Sequence, residues 1–442
     1  MRGRLSAWGA DMGLKLYNSM SRRIEGFEPL DPQNIRLYAC GPTVYDRAHV
    51  GNARAMVVVD LLHRLLRHLY GDQRVRLVRN VTDVDDKIIE RSVERGETIA
   101  ALTARTLAAY HEDMAAIGCL PPTIEPRATE HIPHMIAMIE RLMAQGQAYE
   151  DGAGTVLFRT AAMPNYGALS RLSREDLIAG ARIDVSEVKE DPRDFVLWKP
   201  QKSEEPDDSA FDSPWGRGRP GWHIECSAMA LEHLGATFDI HLGGLDLRFP
   251  HHENEIAQSC CGNGTDFMAR YWVHNGFVTV EGEKMSKSLG NFFTVPDLLN
   301  KGYKGEAIRL ALLETHYRAP LDLTEAKLKA AQNRLDGLYR DLAAGADFGE
   351  ADLRGLNEDL QPSQVLKNPA NFHALGFLQN NPEIWFKGMP QGGEERIEAM
   401  IKARALAKKE KDFARADEIR DLLGQEGIVL EDGAGGTTWR LA

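Results

Sequence analysis

The stretch "NIRLYACGPTVYDRAHVGNARAMVVVDLLHRLLRHLYG", residues 34–71, reads as strand, loop and helix. Arg36 to Ala39 is the strand, Gly41 and Pro42 punctuate its end, and Asn52 to Tyr70 is a long helix stopped by Gly71. The run "RVRLVRNVTDVDDKIIERS" supplies a second strand, Arg74 to Asn80, and a second helix. Strand, helix, strand at this spacing predicts a parallel α/β sheet. Ligands bind such sheets beyond the carboxyl ends of the strands. That places Cys40 to Asn52 and Thr82 to Lys87 at the candidate site.

Outward from this unit the texture changes. From about Pro126 to Arg217 come helices, short segments around "DGAGTVLF" and the polar stretch "KPQKSEEPDDSAFDSPWGRGRP". Together they read as an insertion that ends in a flexible loop. The α/β pattern returns with "GWHIECSAMALEHLG" and "FDIHLGG", and after about Glu281 the chain turns mostly helical. Residues 345–395, rich in Gly, Asn and Pro, are poorly periodic. A length of 442 residues suits about three domains. A net charge of -12 with a pI near 5.7 argues against a protein that coats nucleic acid nonspecifically, while leaving room for a local basic patch. Five scattered cysteines form no disulfide framework and suit a reducing cytoplasm. No apolar run approaches the roughly 18 residues of a membrane helix. The opening "MRGRLSAWGADMG" lacks the apolar centre of a secretory signal, and residues 1–13 receive no role.

Three motifs carry chemistry. "AHVGNARA", Ala48 to Ala55, sets a histidine and a glycine at a helix N-terminus, where backbone N–H groups and the helix dipole favour phosphate. A tight turn with a surface histidine would look the same. "EKMSKSLGN", Glu283 to Asn291, alternates lysine and serine before a glycine, which suits a mobile loop that lays ammonium groups on a polyphosphate. Its bland alternative is a solvated basic loop. "FPHHENEIA", Phe249 to Ala257, crowds two histidines and two glutamates at a helix start. His251 and Glu255 share a face there, and His252 pairs with Glu255 almost as well. A metal site and a solvated helix start both fit that segment.

An early glycine-histidine loop and a late lysine loop on a parallel α/β framework are the signature of a class I aminoacyl-tRNA synthetase. Longer blocks sharpen this. "YACGPTVYDRAHVGNAR", "NVTDVDDKII", "RPGWHIECSAM", "FDIHLGGLDLRFPHHENEIAQS", "EKMSKSLGNFFTV" and the C-terminal "KDFARADEIRDLLGQEGIVLEDGAGGTTWR" resemble the bacterial-type cysteinyl-tRNA synthetases. The first five run in family order between Leu14 and Tyr317.

The resemblance implies a Rossmann-type parallel-sheet catalytic core with an inserted connective domain and an α-helical C-terminal region. The divisions it implies are 14–125 and 218–280 for the two halves of the core, 126–217 for the insertion, 281–318 for the lysine loop and stem-contact region, 319–395 for a helical bundle and 396–442 for a small anticodon-binding domain. It implies one zinc ion on Cys40, Cys226, His251 and Glu255, a set no spacing rule finds because no CxxC pair links the cysteines. Thiolate, imidazole and carboxylate are all zinc ligands. A soft metal also explains selectivity, since a thiol is a good ligand and a hydroxyl a poor one, so serine is rejected without an editing domain. Cys119, Cys260 and Cys261 fall outside the set as packing residues, and His252 is expected to face elsewhere. Pro42, Thr43, His49, Gly51, Asn52, Lys284 and Lys287 are implied for ATP with its magnesium. His49, Asn52, Lys284 and Lys287 carry the catalysis, and both lysines meet the departing pyrophosphate. Thr43, Trp222, His241 and Asp246 are implied for cysteine, Asp246 as partner of the α-ammonium. The implied partners are tRNA, ATP and L-cysteine, with no membrane or DNA, for a cytoplasmic monomer.

The sequence departs from the family pattern in three places. His49-Val50-Gly51-Asn52 stands where His-Ile-Gly-His is common, Leu245 stands where serine is common, and the helical bundle after "LNEDL", Leu356 to Leu360, is shortened. The C-terminal run with Lys402, Arg404, Lys408, Lys409 and Lys411 is expected to meet tRNA phosphates. That arm weighs against a related ligase that joins cysteine to an amino-sugar in mycothiol synthesis, which lacks it. Intact His49, Lys284, Lys287 and zinc positions weigh against a non-catalytic zinc-binding paralogue.

Overall fold

The computed structural model describes residues 13–180, 189–285, 291–387, 393–426, 428–433 and 436–441. At its centre lies a four-stranded sheet whose strands are all parallel. Its elements in chain order are β1 (Ile35–Ala39), α1 (Val50–Tyr70), β2 (Val75–Arg79), α2 (Trp222–Leu234), β3 (Phe238–Gly244), α3 (His251–Asn263) and β4 (Ala269–Asn275). The spatial order is β4-β3-β1-β2, with Leu37 opposite Leu77 on one side and Ile240 on the other. These strands are buried at nearly every position because helices cover both faces, as parallel sheets require.

The chain runs from β1 outward to β2 and later returns on the opposite flank of β1 with β3. The sheet therefore has a switch point between β1 and β3, and the crevice at their carboxyl ends receives Cys40 from one strand and Gly243 to Asp246 from the other. Helix α1 starts two residues earlier than the pattern suggests because His49 caps it, and Gly71 ends it at φ +96° with its N–H on the Arg67 carbonyl.

The insertion builds an antiparallel sheet from Ala148–Glu150, Val156–Phe158, Phe195–Pro200 and Gly218–Pro220, packed on the helix Ile132–Ala144 through Met135, Met138, Phe158 and Trp198. The polar stretch expected to be a flexible loop is tied down. Arg219 is buried and ion-paired with Glu205 at 2.7 Å and Asp86 at 2.8 Å, so it joins the insertion to the core. The poorly periodic region is likewise anchored, by short helices at Pro362–Val365, Ala370–Ala374 and Pro382–Lys387. Trp385 stacks on Tyr339 at 4.2 Å, and the Glu306 carboxylate accepts the N–H groups of Leu378 and Gln379 at 2.7 and 3.0 Å. Leu375, Phe372 and Phe377 enter the same apolar core as α1.

The C-terminal residues form two helices, Gly393–Lys409 and Phe413–Gln425, and a hairpin of Ile428–Gly433 with Gly436–Leu441. Their separate core is Ile397, Ile401, Ile419, Leu423 and Ile428. Arg404, read as a phosphate contact, is instead buried with both terminal nitrogens on Asp432 at 2.8 and 3.0 Å, where it ties helix to hairpin. Lys402, Lys409 and Lys411 remain exposed. Among the described residues no helix is long and apolar enough to cross a membrane.

Candidate active site and metal centre

Cys40 leaves the end of β1, Cys226 lies in the second turn of α2, and His251 and Glu255 occupy successive turns of α3. The fold brings these four together in the buried crevice, with ligand atoms all within 4.8 Å of one another. The thiols stand 3.9 Å apart, Cys40 Sγ is 3.7 Å from Glu255 Oε1, Cys226 Sγ is 3.6 Å from His251 Nε2, and His251 Nε2 is 3.0 Å from Glu255 Oε1. Tetrahedral zinc with bonds of about 2.0–2.3 Å separates its ligands by about 3.3–3.8 Å. The four separations, 3.0 to 3.9 Å, bracket that range, so the residues fit a zinc ion in chemistry and need only shifts of a few tenths of an ångström to fit it in spacing.

The imidazole and the carboxylate are held from behind. His251 Nδ1 meets His223 Nδ1 at 2.9 Å while Trp222 stacks on the ring at 4.0 Å. His241 Nε2 meets Glu255 Oε2 at 2.8 Å, which turns Oε1 toward the cysteines, and His241 itself stacks on Trp272 at 4.5 Å. Burial raises the Cys226 thiol, but hydrogen bonds with Cys40 and His251 outweigh it and bring its pKa down to about 6. Burial opposes charge on His251 too, yet the Glu255 carboxylate and Cys226 lift it to about 10. Burial, reinforced by the neighbouring Cys226 and the Glu255 carboxylate, pushes the Cys40 thiol up. Loading a metal must therefore displace protons from this cluster.

His252 does not face elsewhere. Its Nε2 lies 3.4 Å from Cys40 Sγ, its Nδ1 meets His274 Nε2 at 2.8 Å, and His274 Nδ1 in turn meets Ser19 Oγ at 2.8 Å. Cys40, His241, His252 and Glu255 thus form a second quartet that overlaps the first. The sequence reasoning missed His252 and His274 because it assigned one face of α3 to the site, whereas α3 is buried on every side over its first turns. A helix start buried all round was the signal available. Cys119 and Cys260 do pack away from the cluster, the former beside Arg309.

At the amino end of α1, His49 Nδ1 accepts the N–H groups of Gly51 and Asn52 at 3.0 and 3.3 Å, while Asn52 Oδ1 accepts the His49 N–H at 3.2 Å. This is a reciprocal capping box. It fixes the neutral ring with its proton on Nε2, and burial lowers the His49 pKa against the opposing charge of Asp246. Gly41, just after Cys40, passes so close to the β2 end that a Cβ would sit 1.7 Å from the Asn80 carbonyl oxygen. Thr43 bridges Thr82 alongside, Pro42 accepts the Thr82 N–H at 3.0 Å, and Asp246 is exposed on the turn after β3. Lys284 lies on a short strand, Glu283–Lys284, paired with Val278–Val280. Lys287 lies outside the described residues.

The sheet order, the capped helix at its crevice and the antiparallel insertion define a class I aminoacyl-tRNA synthetase core. The model for "tRNA synthetases class I (C) catalytic domain" matches residues 26–333, and that for "Cysteinyl-tRNA ligase anticodon binding domain" matches residues 391–440. The methionyl-tRNA synthetase of Mycobacterium tuberculosis shares the fold at a TM-score of 0.55 and 16% identity, over 78% of this chain and 82% of that one. The cysteine–tRNA ligases of Paramagnetospirillum magneticum and Rhodospirillum centenum are each 54% identical to this chain, over 97% and 98% of it and 100% of their own lengths. The chain belongs to the cysteine–tRNA ligase family. The first of these matches runs over 465 positions, more than the 442 residues here, so that relative carries residues this chain lacks.

Proposed function

We propose that this protein joins L-cysteine to the 3′ end of its tRNA in two ATP-dependent steps. The observation that carries the reading is the convergence, at one crevice, of a buried two-thiol cluster with the capped His-Gly helix start. In the first step a carboxylate oxygen of cysteine bonds to the α-phosphorus of ATP, the bond to the β-bridging oxygen breaks, and pyrophosphate leaves. In the second, a hydroxyl of the terminal ribose attacks the activated carbonyl, and AMP leaves.

His49 would donate its Nε2–H to a phosphate oxygen, helped by Gly51, whose missing side chain lets the nucleotide approach, and by Asn52. Pro42 and Thr43 would border the ATP, Lys284 and Lys287 would balance charge on the departing pyrophosphate, and magnesium would accompany the nucleotide. When held by Cys40, Cys226, His251 and Glu255, zinc supplies a soft Lewis acid suited to a thiol and ill suited to a hydroxyl. His241 orients Glu255, and Trp222 clamps His251. With Thr43 and Asp246, these two would line the cysteine pocket, Asp246 facing the α-ammonium. The C-terminal match supports a tRNA acceptor over an amino-sugar. Exposed Lys402, Lys409 and Lys411 would meet its phosphates. We place the protein in the cytoplasm as a monomer.

The test is cysteine attachment to total bacterial tRNA with ATP and magnesium. Charging confined to the cysteine tRNA is the expected result. Absence of both charging and cysteine-dependent pyrophosphate exchange would refute the reading.

A further inference from the structure

Arg54 is fully buried on α1, one turn beyond the capping box, and no carboxylate among the described residues forms an ion pair with it. Its Nη1 donates to the carbonyls of Gly276 at 3.0 Å and Phe277 at 2.9 Å. Its Nη2 donates to Thr315 Oγ1 at 3.1 Å and to the carbonyls of His316 and Ala319 at 3.2 and 2.9 Å. Five oxygens from two loops thus converge on one guanidinium. Burying a charge without a counter-ion is costly, and the site bears that cost only because a dense set of carbonyl dipoles replaces the lost water.

The two loops have something in common. Gly276 and Phe277 lead directly into the strand Val278–Val280, which pairs with Glu283–Lys284, while Ala319 leads into Leu321–Leu323, which pairs with the other edge of the same strand. Arg54 therefore grips the base of the small sheet whose outer strand carries Lys284. The loops press so closely there that a Cβ on Gly276 would meet the Ala319 oxygen at 2.5 Å and the Arg318 oxygen at 2.7 Å. Past the hairpin, the chain returns to the same helix start, where Val50 N–H bonds to the Phe293 carbonyl at 2.9 Å.

We propose that Arg54 is a positioning residue that sets the distance between the helix start bearing His49 and Asn52 and the sheet bearing Lys284. It thereby acts on the polyphosphate half of the reaction and leaves thiol selection untouched. This rests on the adenylating function proposed above. A lysine at 54 keeps the charge but offers three donors on a single point, so it cannot span both loops as the planar fork does.

The experiment uses the full chain as wild type, Arg54→Lys and Arg54→Met at equal protein concentration, with bound zinc measured for each. Cysteine-dependent pyrophosphate exchange, cysteine affinity and thermal unfolding are measured together. Misplacing reacting groups by a fraction of an ångström is expected to lower the kcat of exchange in Arg54→Lys at least about tenfold, while zinc content and cysteine Kd stay within about twofold. A merely structural role would lower zinc, cysteine binding and exchange in common proportion, and that outcome overturns the proposal. Unchanged exchange in Arg54→Lys overturns it as well, even if Arg54→Met fails to fold. A wild-type protein without exchange would bring down the parent reading and this one together.

Discussion

Asp359 offers the sharpest test of whether the region of short helices after it is clamped to the catalytic core. Its Oδ1 accepts the Tyr17 N–H and the Tyr317 hydroxyl, both at 2.8 Å, and its Oδ2 accepts Arg318 Nε at 2.9 Å and Nη2 at 2.6 Å. One carboxylate thus joins the strand Lys15–Asn18, the Tyr317–Arg318 segment and the chain leading into the short helices from Pro362. Asp359→Ala removes two neutral-donor bonds worth about 1 kcal/mol each and strands the buried Tyr317 hydroxyl. The Arg318 pair adds only about 1 kcal/mol, because that side chain is 35% exposed and regains water. Asp359 also sits at φ +56°, where aspartate is tolerated better than alanine by about 1 kcal/mol. The expected loss is about 4 kcal/mol, whereas Asp359→Asn, which keeps Oδ1 and the backbone preference, should lose about 1–2 kcal/mol. Urea unfolding followed by tryptophan fluorescence reads both, since Trp385 lies within the clamped region. An alanine variant within about 1 kcal/mol of wild type would refute the clamp. The pH dependence gives an independent check. Burial raises the Asp359 pKa, but hydrogen bonds from His316, Tyr17, Tyr317 and Arg318 outweigh it and hold the carboxyl below its usual range. A folded pKa below the unfolded value of about 3.9 means the contribution is complete above that pH. It is lost as pH falls through the folded pKa, so the gap between wild type and variant narrows only in acid.

Three further outcomes follow from the site. Cys226→Ala should lower bound zinc and cysteine activation together, and metal analysis finding full occupancy in that variant would sink the ligand assignment. Gly41→Ala places a methyl 1.7 Å from the Asn80 oxygen, so the loop must move, at a stability cost of about 3 kcal/mol or more visible in thermal unfolding. A variant with unaltered Tm and exchange rate would contradict it. His49→Asn should keep the helix cap within about 0.5 kcal/mol, because asparagine caps well, yet slow pyrophosphate exchange by about 100-fold through loss of the Nε2 donor. Equal losses in His49→Asn and His49→Ala would support this, and an active His49→Asn would reduce His49 to a cap.

Local patterns show in the sequence wherever one residue and its near neighbours suffice. The strand Arg36 to Ala39 and the helix to Tyr70 differ from Ile35–Ala39 and Val50–Tyr70 by one or two residues. What escaped was set by partners far along the chain. Arg219 reads as part of a polar loop until Asp86, 133 residues away, is seen beside it, and Arg404 reads as a free cation until Asp432 closes on it. The four-residue cluster expected to hold zinc is the extreme case. Cys40 and Cys226 are 186 residues apart and meet only because the insertion returns the chain to the β1 flank, so family resemblance rather than spacing named them. His252 shows the limit of helical-face arguments, which assume one side faces water.

The same economy joins folding to chemistry at His49. A helix of 21 residues needs its first N–H groups satisfied, and His49 Nδ1 satisfies two of them. That bond commits the ring's proton to Nε2, the atom turned away from the helix. Burial then lowers the pKa, so the ring stays neutral and the donor stays in place across the neutral pH range. Asn52 completes the box from the other side, and its carbonyl oxygen, being occupied by the His49 N–H, leaves its amide as the outward group. Asparagine at the fourth position of the motif therefore presents a donor by the same logic that histidine follows at the first.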